Sequence, residues 1–487
     1  MSLPFFPDEA ARSQFSEWAN RSSWLYGCDL ETEWRQAREE GRDLRTVEAE
    51  FRRLTETELA ANARERLLAG QRDLRWFEEA IALIDRVQML PFREDYPFVE
   101  PHALESIHAE REPGPAVLRW RGSRAALAER VRGGFLGRVI GCMLGKPFEG
   151  VDRGAIRIYA EETGNWPLQT YMRRPTPAEL KRILLRKPRR PVGEWQAGFY
   201  IDACDGFPSD DDINYTLMGM EVMRRHGPDF TPLDLASLWC LQLPAFATCT
   251  AERVTYRNFI EGRLPPHSAT HRNPYREWIG AQIRADFFGY AAPCDPAFAA
   301  EWAWRDASMS HIRNGIYGEM WVAAMLASAY VLQDWPAIIR AGLAQVPRRS
   351  RLHAGVTRIL EAHVQGATHE AVLDSIHGEW DDIIGHAWCH TISNAQIVTA
   401  SLLYGVDDFS ATIALAVAAG FDTDCNGATC GSLWGIRHGE AALPNKWLRP
   451  LRNRLHSSLP AYADVPLDEM AGRMAAVVAG VWTKGTR

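Results

Sequence analysis

Gly427, Gly431 and Gly435 recur at every fourth position in a stretch that otherwise favours helix. A glycine inside a helix costs about 1 kcal/mol relative to alanine. Three in register, on one face, therefore need a compensating gain, and the gain available is close approach of the backbone to another element or to a ligand. Just ahead of them, in GFDTDCNGATCGSLWG (residues 420–435), Asp422 and Asp424 stand two apart. The stretch is expected to form a helix pressed against a neighbour, with paired carboxylates at its mouth.

The rest of the chain supports a helical architecture. SRAALAERVRGGFLGRVIGCMLG, GIYGEMWVAAMLASAYVLQDW and ATIALAVAAG carry helical periodicity, while period-two alternation between turn residues is scarce. The fold class is all-α. Residues 1–115 read as a separate helical extension, rich in Ala, Leu, Glu and Arg, and prolines at 91, 97, 101, 113 and 115 mark a linker after it. A main domain follows over 120–487, within which 151–205, basic and punctuated by proline, reads as an insertion.

Composition excludes several classes of function. A net charge of −7 and a pI near 6.1 leave no basic surface for bulk nucleic acid. No run of 18 apolar residues occurs, so no membrane-spanning helix is expected. The first residues, MSLPFFPDEAARSQFSEW, lack the basic start and apolar run of a secretory signal. Nine cysteines without a CxxC pair read as reduced thiols, and the expected location is cytoplasmic. Oligomeric state stays open.

Chemistry concentrates in three acidic sites. In FPSDDDINYTLMGMEVMRRHG, Ser209 is placed to cap a helix whose first turn holds Asp210, Asp211 and Asp212, and HGP ends that helix. Capping accounts for one or two carboxylates, because acids favour the positive end of a helix. Three adjacent ones repel unless a cation sits among them. In GCMLGKPFEG (residues 141–150), Glu149 follows a glycine-rich turn that is no phosphate loop, since Ile140 and Pro147 break that pattern. Asp422, Asp424, Asn426 and Gly427 match the start of a calcium loop, but Leu433 stands where its bidentate Glu belongs. His386 and His390 lie four apart, with Ala387 where a zinc protease needs its Glu.

Together and in this order, GCMLGKPFEG, SDDD and GFDTDCNGA resemble the motifs of the ADP-ribosylglycohydrolase family, over roughly residues 125–455. The resemblance implies a multi-helical bundle, here with an extra helical N-terminal region, carrying two Mg²⁺ ions in a cleft, with Mn²⁺ as a possible substitute. Carried over by position, the metal ligands are Glu149, Ser209, Asp210, Asp211, Asp422 and Asp424, with Cys425 where relatives place a threonine. A thiol suits a hard ion poorly, so one ion binds weakly there, uses water, or recruits Asn426. IGAQIRADFFG resembles a segment that cradles a diphosphate, which makes Gly280 and Arg284 candidate substrate contacts. ASMSHIRNGIYGEMWVAAM resembles a helix start that brings His311 to the cleft.

The implied reaction is hydrolysis of an N- or O-glycosidic bond at the ribose anomeric carbon, with Glu149 and Asp211 handling protons. The substrate is an ADP-ribosyl conjugate or a small N-riboside. Two rival readings are a catalytically silent ADP-ribose-binding protein and a helical structural protein whose acids only cap helices.

Overall fold

The computed structural model describes residues 29–56, 74–112 and 118–485. The expectations for 1–28, and the helical reading of 57–73, lie outside the described residues. Among those described, the only strands are Arg454–His456 and Asp464–Pro466, a short antiparallel pair, and everything else regular is helical. The protein is all-α. Among the described residues no helix is long and apolar enough to cross a membrane.

Among the described residues the first helix of the extension is α1 (Leu30–Glu39), capped by Asp29, whose carboxylate accepts from Thr32 N at 3.0 Å. Its apolar face joins Phe51, Leu54, Leu83 and Ile84 in a small core of its own. Charge fastens this core to the main body. Arg276, almost fully buried, donates to both oxygens of Glu33 at 2.6 and 3.0 Å and to Glu40 at 3.1 Å. Burying a guanidinium is costly unless its donors are met, and here two carboxylates from the extension meet them. Farther along, Glu100 accepts from Arg351, which also reaches Glu277 at 2.6 Å.

The main body is organised around α2 (Arg124–Gly145), α3 (Asp211–His226), α4 (Asn314–Ala329), α5 (Thr391–Gly405) and α6 (Thr423–His438). Helix α2 starts at Ser123, whose hydroxyl accepts from Ala126 N, and α4 is buried along its whole length. Residues 151–205 contribute Val151, Ile156, Tyr159, Leu168 and Ile183 to the same apolar core.

The glycines of α6 find their reason in α2. Gly133, Gly137, Gly141 and Gly145 form a matching row there, and a Cβ on any of these would run into the backbone of Gly435, Gly431, Gly427 or Thr423 in turn. The converse holds for the three α6 glycines. Two helices are thus in backbone contact over four turns, and dispersion contacts along that length offset the propensity cost of the glycines.

One detail of the sequence reading is corrected. Ser209 does not cap α3. Asp210 is the capping residue, its carboxylate accepting from Asp212 N at 2.9 Å. Ser209 lies one residue too early to reach the free amides, and its hydroxyl pairs with that of Ser458 at 2.8 Å. The helix ends at Gly227, whose φ of +72° suits glycine.

Candidate active site

The C-terminal end of α2 meets the N-terminal ends of α3 and α6 at one place, and the three acidic motifs occupy those ends. Helix N-termini favour negative charge and helix C-termini favour positive charge. The composition follows that rule: Asp210 and Asp211 open α3, Asp422 and Asp424 open α6, and Lys146 follows the last residue of α2. The chain enters α6 through two consecutive left-handed residues, Gly420 (φ +80°) and Phe421 (φ +62°). A left-handed residue other than glycine costs roughly 1–2 kcal/mol. Here it directs Asp422 into the cluster, and Asn394 of α5 holds the turn by accepting from Asp422 N at 3.1 Å.

Lys146 stands at the centre. Its Nζ lies 2.6 Å from Glu149 Oε2, 2.5 Å from Asp210 Oδ2 and 2.8 Å from Asp424 Oδ2. Asp210 Oδ1 takes the Asp212 amide and the thiol of Cys142 at 3.4 Å. Asp212 pairs with Arg138, 2.7 Å from its Oδ1, while its Oδ2 takes the Cys142 thiol at 3.7 Å. That keeps Asp212 in a group with Cys142, Asp210 and Asp424 whose ligand atoms lie within 4.8 Å of one another. Arg138 also pairs with Asp286 at 2.7 Å. Asp422 Oδ1 and Asp424 Oδ1, both buried, have no hydrogen-bond partner. Oxygens of these two residues and Cys425 Sγ lie within 4.8 Å of one another. Unpartnered carboxylate oxygens out of water are costly, and a hard cation with oxygen ligands satisfies them. The donor set therefore fits a divalent metal.

The electrostatics agree. Burial, and then Asp424, pushes Glu149 up to about 8, while burial and Asp210 push Asp211 up to about 7. Burial and Asp424 raise Asp422 well above the usual carboxylate range. Burial acts in the same sense on Asp424, but the Lys146 ammonium together with hydrogen bonds from Asp422, Lys146 and the backbone brings that carboxyl down. The cluster carries more negative charge than one lysine balances.

The proposed ligands thus divide. Glu149, Asp210, Asp211, Asp422, Asp424 and Cys425 gather here, whereas Ser209 is exposed and turned to Ser458. Arg284 is buried and ion-paired with Glu252 at 2.6 Å and Asp306 at 2.5 Å, with Tyr215 and Trp239 facing its guanidinium. Gly280 packs so closely on the Glu252 carboxylate that a Cβ would collide with it. His311 is buried, with Nδ1 2.8 Å from the hydroxyl of Ser310.

Several site residues escaped sequence reasoning. Lys146 is one, and Trp195 and Phe199 are others, their rings 5.1 and 5.6 Å from the Lys146 ammonium. Both come from the 151–205 segment, and Gln196 between them donates to the Glu149 carbonyl at 3.3 Å.

A second gathering of ligand types, Glu39, His386 and His390, is a hydrogen-bonded dock. Nδ1 of His386 accepts from the Trp278 indole at 3.1 Å, so its Nε2 carries the proton and donates to Glu39 at 3.0 Å. Nδ1 of His390 likewise accepts from Ile392 N at 3.1 Å. A metal-bound histidine donates through its other nitrogen, and neither ring is free to do so.

No curated protein matches this chain. A solved structure described as an "ADP-ribosylglycohydrolase-related protein complex" is similar at 20% identity, covering 73% of this chain and 99% of its own, with a TM-score of 0.46. That score is too low to carry an argument. The model of the family described as ADP-ribosylglycohydrolase, however, matches residues 123–479, a span that holds every acid of the cluster. The chain belongs to the ADP-ribosylglycohydrolase family, hydrolases acting on ADP-ribosyl linkages.

Proposed function

We propose that this protein is a divalent-cation-dependent glycosidase that cleaves the bond between a ribose anomeric carbon and an N- or O-linked leaving group. Its substrate is an ADP-ribosyl conjugate or a related small N-riboside. The observation that carries this reading is the pair of buried, unpartnered oxygens on Asp422 and Asp424 beside Glu149 and Asp211. Asp422, Asp424 and Cys425 would hold Mg²⁺ or Mn²⁺, with Asp211 and Glu149 at hand for water or ribose hydroxyls. A divalent ion there supplies Lewis-acid polarisation and a more acidic bound water.

The chain's own groups supply the rest. A glycosidic bond breaks through an oxocarbenium-like state, and the carboxylates around the cleft favour positive charge on the sugar. Glu149 and Asp211, lifted to about 8 and about 7, can hold or release a proton near neutrality. Glu149 is 23% exposed at its side chain, enough to meet substrate. The exposed ring of Trp195 offers a flat apolar surface to a base or nicotinamide ring.

The test is turnover of purified protein on ADP-ribosyl-arginine, ADP-ribosyl-serine, nicotinamide mononucleotide and NAD, with Mg²⁺, with Mn²⁺ and with chelator. Release of the leaving group from one of them, lost in chelator, is the expected result. Tight binding of ADP-ribose with no turnover on any would make the chain a binding protein.

A further inference from the structure

We propose that Lys146 permanently fills one of the two cation positions of this centre, so that the chain binds one divalent ion where its family's site takes two. The inference rests on the metal-site reading above and narrows it.

Its basis is the way acceptors are shared. An ammonium has three donors and no acceptor, and Nζ of Lys146 donates to carboxylate oxygens of Glu149 at 2.6 Å and of Asp424 at 2.8 Å and is ion-paired with one of Asp210 at 2.5 Å. Those oxygens come from three segments: Glu149 after α2, Asp210 at the start of α3, and Asp424 at the start of α6. A point where one carboxylate from each motif converges is the position a bridging metal would take. Asp210 Oδ1 already accepts from the Asp212 amide and the Cys142 thiol, and its Oδ2, which makes no hydrogen bond, is ion-paired with the Lys146 ammonium. Asp212, the additional acid beside it, is engaged by Arg138. Of the buried carboxylate oxygens in the cluster, those with neither a hydrogen bond nor an ion pair are Asp422 Oδ1 and Asp424 Oδ1, and they serve one ion.

Lys146 is also held in place. It leaves α2 at Gly145, whose Cα packs on the carbonyl of Thr423 so closely that a Cβ would collide, and Pro147 follows in a tight 3-10 turn. The backbone thus delivers the side chain between the helix ends. Trp195 and Phe199 lie on its open side, and the residue is only 6% exposed. A second Mg²⁺ would need to expel a buried ammonium, paired with three carboxylates, from beneath two aromatic rings. Two-metal sites hold their ions about 3.5–4 Å apart, which leaves no room for both the ammonium and a second ion among these same oxygens.

The experiment counts bound Mn²⁺ per full-length chain by equilibrium dialysis, with electron paramagnetic resonance to detect coupled pairs. Wild type should bind one Mn²⁺ with no coupled signal, and Lys146→Arg, which keeps the charge, should do the same. Lys146→Ala frees three carboxylates and should bind two, with the coupled signal present. Two ions in wild type, or one in Lys146→Ala, overturns the proposal. Should Lys146→Ala not fold, amine methylation of wild type decides: Lys146 should stay unreactive with and without saturating Mn²⁺, and its becoming reactive on metal loading overturns the proposal. Wild type binding no Mn²⁺ at all would instead defeat the metal-site reading itself, an outcome distinct from a count of two.

Discussion

Gly141 of α2 and Gly427 of α6 face each other so closely that the carbonyl of each fills the space a Cβ on the other would take. This contact sets the spacing of the active site, because Gly145 and Thr423, one turn on, carry the chain directly into Lys146 and Asp424. Gly427→Ala should therefore cost about 3 kcal/mol or more, at the upper end for overpacking, and should weaken Mn²⁺ binding as well. Gly378 supplies the control. It lies in the helix His369–Glu379 with nothing near the place of its Cβ. Gly378→Ala should be neutral or stabilise by up to about 1 kcal/mol. Chemical denaturation of both variants checks the contrast.

Much of this was legible in one dimension. The three acidic motifs are local strings, and so is the glycine period of α6. Their neighbours were harder to see. The glycine row of α2 repeats every four residues as plainly as that of α6, yet a period does not name its partner. Lys146 reads as a surface lysine until Asp424, 278 positions away, is folded against it. Ser209 failed as a cap because one residue of helix phase decides which side chain reaches the free amides. The aromatic cover from 195 and 199 belonged to a segment whose charge and prolines suggested an insertion.

The buried anchor of the extension makes a second prediction. Arg276→Met would leave Glu33 buried without its ion-pair partner and Glu40 with Arg42 alone. Breaking such a pair from one side costs about 3–5 kcal/mol. Thermal melting should show a marked loss of stability. Mn²⁺ affinity of the folded protein should be unchanged, since the hydrogen bonds of the acidic cluster described above all go to residues beyond 140.

A third concerns acid. Glu221 on α3 is buried and accepts from Arg224 at 2.8 and 2.9 Å, from Arg225 at 3.0 Å, and from the hydroxyl of Tyr462. Burial would raise its pKa, but these bonds prevail and bring it from 4.5 down to about 2. The folded state thus binds fewer protons than the unfolded one. Its contribution is complete above about 4.5 and is lost as pH falls through about 2. At 1.36 kcal/mol per pKa unit the bound is roughly 3 kcal/mol, lowered in practice because the two guanidinium groups are solvated. Urea titrations across that window should give a steeper fall for wild type than for Glu221→Gln.

The last prediction addresses Cys425, which stands where the family resemblance of the motif implies a threonine. Its Sγ lies within 4.8 Å of oxygens of Asp422 and Asp424, and burial, then Asp212, holds the thiol well above its ordinary pKa. A neutral thiol is a poor ligand for a hard ion, whereas a hydroxyl oxygen suits one. Cys425→Thr should therefore tighten Mg²⁺ several-fold and raise turnover where Mg²⁺ is limiting. It should also weaken Cd²⁺, a soft ion that profits from sulfur. The paired readout matters, because opposite shifts for the two ions identify a ligand, while a packing change would move both affinities together. Isothermal titration with each ion on the two proteins decides it, and unchanged affinity for both would place Cys425 outside the coordination sphere.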